Sequence, residues 1–138
     1  MHRHLITSAL CVAMLVAAPA AQADDRVRLQ DDPILENGLR VIAIADFLRK
    51  NCDAIAPRFF KALSFAQSLE AHAKGLGYSD AEIEAYLDDE REKARVRGHA
   101  RAYLEARGVN FDEAQSFCSV GRAEIAVQSA PGQYLRIR

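Results

Sequence analysis

Cysteine and histidine are scarce in this sequence, three and four residues among 138. No C-x-x-C pair is present, which argues against a thioredoxin-type redox couple, and the absence of C-x-x-C-H excludes covalent attachment of a c-type haem. His72 and His99 do not lie three or four residues from another histidine, so the zinc-ligand spacing that a helix offers is missing. Nor is there an excess of cations: 18 Lys and Arg face 19 Asp and Glu, interleaved along the chain. Nucleic-acid binding, which draws on a basic stripe, is therefore set aside. G-x-S-x-G, H-E-x-x-H, P-loop and G-x-G-x-x-G signatures are all lacking, and Ser64, Ser68 and Ser116 have no base at a recognisable spacing. The expectation is a protein that is not an enzyme and carries no cofactor.

Long hydrophobic runs are also missing, apart from one at the start. Met1 to His4 carry positive charge, Leu5 to Ala18 are mostly apolar, and Pro19 leads into Ala21-Gln22-Ala23. This is the pattern of a secretory signal peptide, residues 1–23, with cleavage expected after Ala23. A lipid anchor on Cys11 would need a small residue before it, where Leu10 stands. The reading is a periplasmic or secreted protein without a membrane span. The remainder is long enough for one core, divided into a polar arm 24–37, a helical domain 38–130 and a tail 131–138.

What is abundant is helical periodicity. Val41, Ala45, Leu48, Cys52, Ile55, Phe59, Ala62, Ala66, Leu69, Ala73 and Leu76 recur at alternating steps of four and three, which keeps them on one seam. Pro57 interrupts this stripe, yet its phase does not slip, so a single kinked helix is expected, opened by Asn37 as cap. Ser79-Asp80-Ala81-Glu82 forms a capping box for a second helix reaching Arg107, with a charged, wet middle. Asn110 to Glu113 resembles another box, opening a last helix that runs to about Gln128. The fold class is all-α: a small bundle of three long helices, four if Pro57 breaks the first. The tail from Gln133 alternates apolar and polar residues but is too short to read as a sheet.

Removing the leader removes Cys11 and leaves Cys52 and Cys118, each on a buried seam. One pairing is possible, and in an oxidising compartment a structural bridge is the expectation. Closing a ring of about 67 residues stabilises a fold by about 4 kcal/mol on the chain-entropy model. Helices joined there would bring Asp46 and Arg122 within reach, as a candidate partly buried ion pair beside the bridge.

Several segments together resemble a domain-of-unknown-function family of small exported alphaproteobacterial proteins. They are Val41 to Asp46, Cys52, Lys61-Ala62-Leu63, Leu76-Gly77-Tyr78, Lys93-Ala94-Arg95, Arg107-Gly108-Val109, and Cys118 with Gly121 to Ala126. The resemblance implies a signal peptide, a helical domain and two cysteines, and no activity, substrate or catalytic residue. Pro57 stands where it would lead one to expect a better helix former. The leading expectation is an exported, non-catalytic binding or interaction module with an unknown protein partner. A periplasmic chaperone or acid-stress protein is the alternative, and a metal or haem carrier or an enzyme is a third reading with no motif behind it.

Overall fold

The computed structural model describes residues 24–138, so the expected signal peptide lies outside the described residues. Five α-helices and a two-stranded ribbon follow one another: α1 Pro33–Asn51, β1 Ile55–Pro57, α2 Phe59–Gly75, α3 Asp80–Asp88, α4 Glu90–Ala106, α5 Ala114–Ala126 and β2 Leu135–Ile137. Single 3-10 turns, Leu29–Asp31 and Gly132–Tyr134, precede α1 and β2.

The expected bundle of three or four helices is corrected at three places, each with a local cause. The first helix does not run through Pro57. It stops at Asn51, where Cys52 turns extended (φ −141°, ψ 108°), and Ile55–Pro57 pairs antiparallel with Leu135–Ile137. A proline biases the residue before it towards extended backbone, and its missing N–H is harmless on an edge strand. The tail becomes a strand for the same reason: β1 offers it a partner. The single seam therefore breaks at Pro57: Phe59 is 63% exposed, while Leu69 and Ala73, further along the stripe, are buried in a separate helix.

The long charged helix expected from Ser79 is two helices. Ser79 and Glu82 make the capping box, but Asp89 then caps a fresh helix, accepting from the N–H of Arg91 at 2.8 Å and of Glu92 at 3.2 Å. At the other corrected boundary, Asp32 rather than Asn37 caps α1, with Pro33 at the first helical position, where a missing donor costs nothing. The arm is thus shorter than 24–37. Asn110 shapes a turn by accepting from the Asp112 N–H, and α5 begins only at Ala114.

Two apolar clusters hold these elements. The larger one packs Ile44 and Leu48 of α1 against Leu104 of α4, Phe117 of α5 and Ile55 and Leu135 of the ribbon. Cys52 and Cys118 are joined within it, with Cα atoms 5.1 Å apart, tying the end of α1 to α5. The smaller cluster gathers Leu35, Leu69, Ala73 and Ile83 with Leu29 of the first turn. Gly132 lets the tail turn back under α5, because a Cβ there would run into the backbone carbonyl of Glu124.

Candidate functional site

Helix α1 is apolar on more than one side, and α4, α5 and the ribbon do not cover all of it. Leu39 and Ile42 form the floor of a trough whose walls are α2 on one side and α3 with the start of α4 on the other. Leu63 of α2 and Leu87 of α3 face into it, and all three central side chains stay open: Ile42 37%, Leu63 43% and Leu87 47% exposed. The inner part encloses about 500 Å³ and is mainly apolar. It continues past Leu39, Ile42 and Leu87 into an outer part of about 750 Å³. There Lys50, Lys93 and Arg97 stand among Asp46, Glu90 and Glu92.

α2 packs on α1 with a close seat at Gly38. Leu69 seats directly on Gly38, so closely that a Cβ on residue 38 would lie 2.5 Å from its methyl carbons. Nearer its N-terminus α2 carries Phe65, on whose ring Tyr134 stacks at 4.6 Å. Neither contact follows from the spacing of the apolar residues.

Two carboxylates at the start of α1 clamp the walls. The Asp32 carboxylate, buried, accepts from the N–H of Ile34 at 3.0 Å and of Leu35 at 2.9 Å and meets His72 Nε2 of α2 at 3.1 Å. Burial alone pushes its carboxyl up; the Leu35 N–H, the His72 imidazole and the Ile34 N–H outweigh that and hold it below the ordinary value. One turn on, Glu36 binds Arg95 at 2.7 Å and His99 Nδ1 at 2.8 Å, both on α4. Its carboxyl is lowered as well, with burial opposing and Arg95 and His99 prevailing. Arg95 also holds Glu92 at 2.9 Å and donates to the Tyr86 hydroxyl at 3.2 Å, joining α3 to the network. Both histidines therefore serve as inter-helix partners of carboxylates, which spacing along the chain could not disclose.

The ion pair expected between Asp46 and Arg122 is not formed. Asp46 binds Arg49 and Lys50 of its own helix, one turn away, and Arg122 is exposed on the outer side of α5. The residue of α5 that turns inward is Glu124, seven positions from Phe117 on the buried face. Its carboxylate, almost wholly buried, accepts from Arg107 Nε at 2.7 Å and the Tyr103 hydroxyl at 3.0 Å. The Arg107 guanidinium also lies 3.4 Å from the Tyr103 ring centroid.

Among the described residues no three of His, Cys, Asp or Glu converge as a metal site, and no helix is long and apolar enough to cross a membrane. A family model matches residues 27–136. The chain belongs to the family of unknown function DUF5333. That match takes in both halves of the trough, its clamps and the disulfide, so the DUF5333 unit and the folded domain coincide. No curated protein and no solved structure matches the chain.

Proposed function

We propose that this DUF5333 protein is an exported, periplasmic binding module without catalytic activity, whose trough receives an amphipathic helix of a partner protein. The observation that carries the reading is the placement of Ile42, Leu63 and Leu87, half-open and facing one another between helical walls. From Leu35 to Lys50 the floor is about 22 Å long, the length of a four-turn helix. Helix-in-groove recognition uses apolar anchors about one turn apart, which such a floor accepts. Arg97 at the outer end is exposed and has no carboxylate partner among the described residues, so the incoming helix would carry an acidic residue there.

Site-directed photocrosslinking in the native cells tests this reading. A benzoyl-phenylalanine at position 42 or 87 should give one discrete protein adduct, absent from the exposed position 102 and lost on Leu63→Asp. Equal labelling from all three positions, or none, would reject it.

The chaperone alternative draws on the clamps. Asp32 and Glu36 hold opposite walls to the same turn region of α1, and protonating both would loosen α2 and α4 and widen an apolar trough. A client aggregation assay at low pH decides: no suppression by the protein removes this reading.

A further inference from the structure

A second exposed apolar feature lies at the junction of the ribbon and α2, one turn before Leu63 on the same helix. Arg58 makes that junction: its N–H donates to the Tyr134 carbonyl at 2.7 Å and its Nε to the Leu135 carbonyl at 3.1 Å. The first turn of α2 is thereby fixed on the ribbon. Phe59 and Phe60 open that turn, 63% and 83% exposed, with their rings edge to face at 5.4 Å. Phe60 is the most open of the large apolar side chains described, and Ile137, 45% exposed, lies on β2 of the ribbon.

Arg58 and Lys61 flank this pair in the chain, and Arg136 and Arg138 lie on and just past the strand paired with the segment before it. Arg58, Lys61, Arg136 and Arg138 are all exposed and none has a carboxylate partner among the described residues, whereas Arg49, Lys50, Lys74 and Lys93 each hold one. Register explains the grouping. Ala56 is paired with Arg136, so two-residue alternation puts Arg58 and Arg138 on the same ribbon face as Arg136. Lys61 reaches over the Tyr134 ring, 5.5 Å from its centroid. Neither residues 54–69 nor residues 125–138 contain a single Asp or Glu, in a chain that has 19. Both segments therefore carry charge of one sign, against a net charge of −1 for the whole, with Asp53 adjoining the far end of the ribbon, where the Arg138 N–H donates to the Ala54 carbonyl.

We infer that this end of the molecule is a peripheral docking surface for anionic lipid, with Phe59 and Phe60 as the inserted side chains and Arg58, Lys61, Arg136 and Arg138 as the headgroup contacts. Two phenyl rings without polar atoms enter the acyl boundary at no hydrogen-bonding cost, while long basic side chains keep their charges at phosphate level. Basic residues next to an anionic leaflet act additively, and the effect is screened by salt. A single-stranded nucleic acid would also meet cations and aromatics. The two rings stand at 78° to each other, however, which offers successive bases no continuous stacking platform.

The chain has no tryptophan, so Phe60→Trp installs a single reporter at the tip of the surface. Its emission should shift to the blue with vesicles of equal phosphatidylglycerol and phosphatidylcholine, but not with phosphatidylcholine alone, and the shift should fade as salt is raised. Arg136→Gln with Arg138→Gln should weaken partitioning about thirtyfold, on about fivefold per cation. Cosedimentation of the unsubstituted chain with the same vesicles provides a reading free of the substitution, and a Phe59→Ser, Phe60→Ser variant with an unchanged circular dichroism spectrum should lose it at least tenfold. No cosedimentation, equal binding to both vesicle types, indifference to salt, or tighter binding of a single-stranded oligonucleotide than of the anionic vesicles would overturn the inference. The trough begins one turn further along α2, at Leu63, and is probed separately through positions 42 and 87.

Discussion

The Asp32 carboxylate and the His72 imidazole meet at 3.1 Å between α1 and α2, and the same Asp32 oxygen caps α1. An ionised carboxylate has no proton to give, so Nε2 of His72 is the donor. One side chain thus starts the floor of the trough and fixes one of its walls. Glu36 does the equivalent for the other wall through Arg95 and His99.

Acid should loosen the domain through these two groups. Both carboxyls are held below their ordinary values of 3.8 and 4.5, so their contribution is complete above those values and is lost as pH falls below them through the folded-state values. Urea midpoints measured from pH 6 to pH 2 should decline mainly below about pH 4.5. Asp32→Asn, which retains a capping side chain, should flatten that decline; an unchanged acid limb would show that Asp32 is not the coupled group.

Glu124 and Arg122 should behave oppositely although they lie two residues apart. Glu124→Ala removes the partner of Arg107 and Tyr103 from a buried position and should cost about 2–3 kcal/mol, the lower end of the usual range because Arg107 is 44% exposed. Arg122→Ala should stay within about 0.5 kcal/mol. Chemical denaturation of the two variants checks the contrast, and equal losses would place the buried pair elsewhere.

The Cys52–Cys118 bridge encloses a sequence separation of 66 residues. Replacing both cysteines by alanine should lower stability by about 4 kcal/mol on the chain-entropy model, read as a fall in the denaturation midpoint at constant slope. Reduction with dithiothreitol should reproduce that fall in the unsubstituted protein. A bridge whose loss left the midpoint unmoved would not be structural.

Gly38→Ala sets two effects against each other. A methyl group improves helix propensity by about 1 kcal/mol, but it meets the Leu69 methyl carbons at 2.5 Å, so that side chain must rotate within its packing or α2 must shift. The contact should win, giving a net loss of about 1–2 kcal/mol. Benzoyl-phenylalanine at position 42 should then crosslink with altered yield, since the floor and wall have separated. A stabilised variant would show that Leu69 simply rotates away.

Much of the helical content was legible because its signals are local. Ser79 and Glu82 sit three residues apart, and the cap they form needs nothing from the rest of the chain. Spacing placed Leu48 and Cys52 on the inward side of α1 and Gly121 on that of α5, and with them the meeting of Cys52 and Cys118, but it missed Ile44 and Glu124. Pro57 was legible as an interruption but not as an edge strand, because the strand that accepts it is Leu135–Ile137, nearly eighty residues later. The cap at Asp89 was not legible, because the charged run around it reads as one continuous helix.

By itself, then, the sequence determined that the chain is mostly helical, that a helix starts after Ser79 and that Cys52 and Cys118 can meet, since periodicity and capping act over one or two turns. Tertiary structure alone decided the seating of Leu69 on Gly38, the trough between α1, α2 and α3, the replacement of Asp46–Arg122 by Glu124–Arg107, and the pairing that sets Arg136 beside the segment leading into Phe59 and Phe60. Each of these depends on contacts between segments far apart in the chain, where a small rotation or a strand register determines which side chains meet.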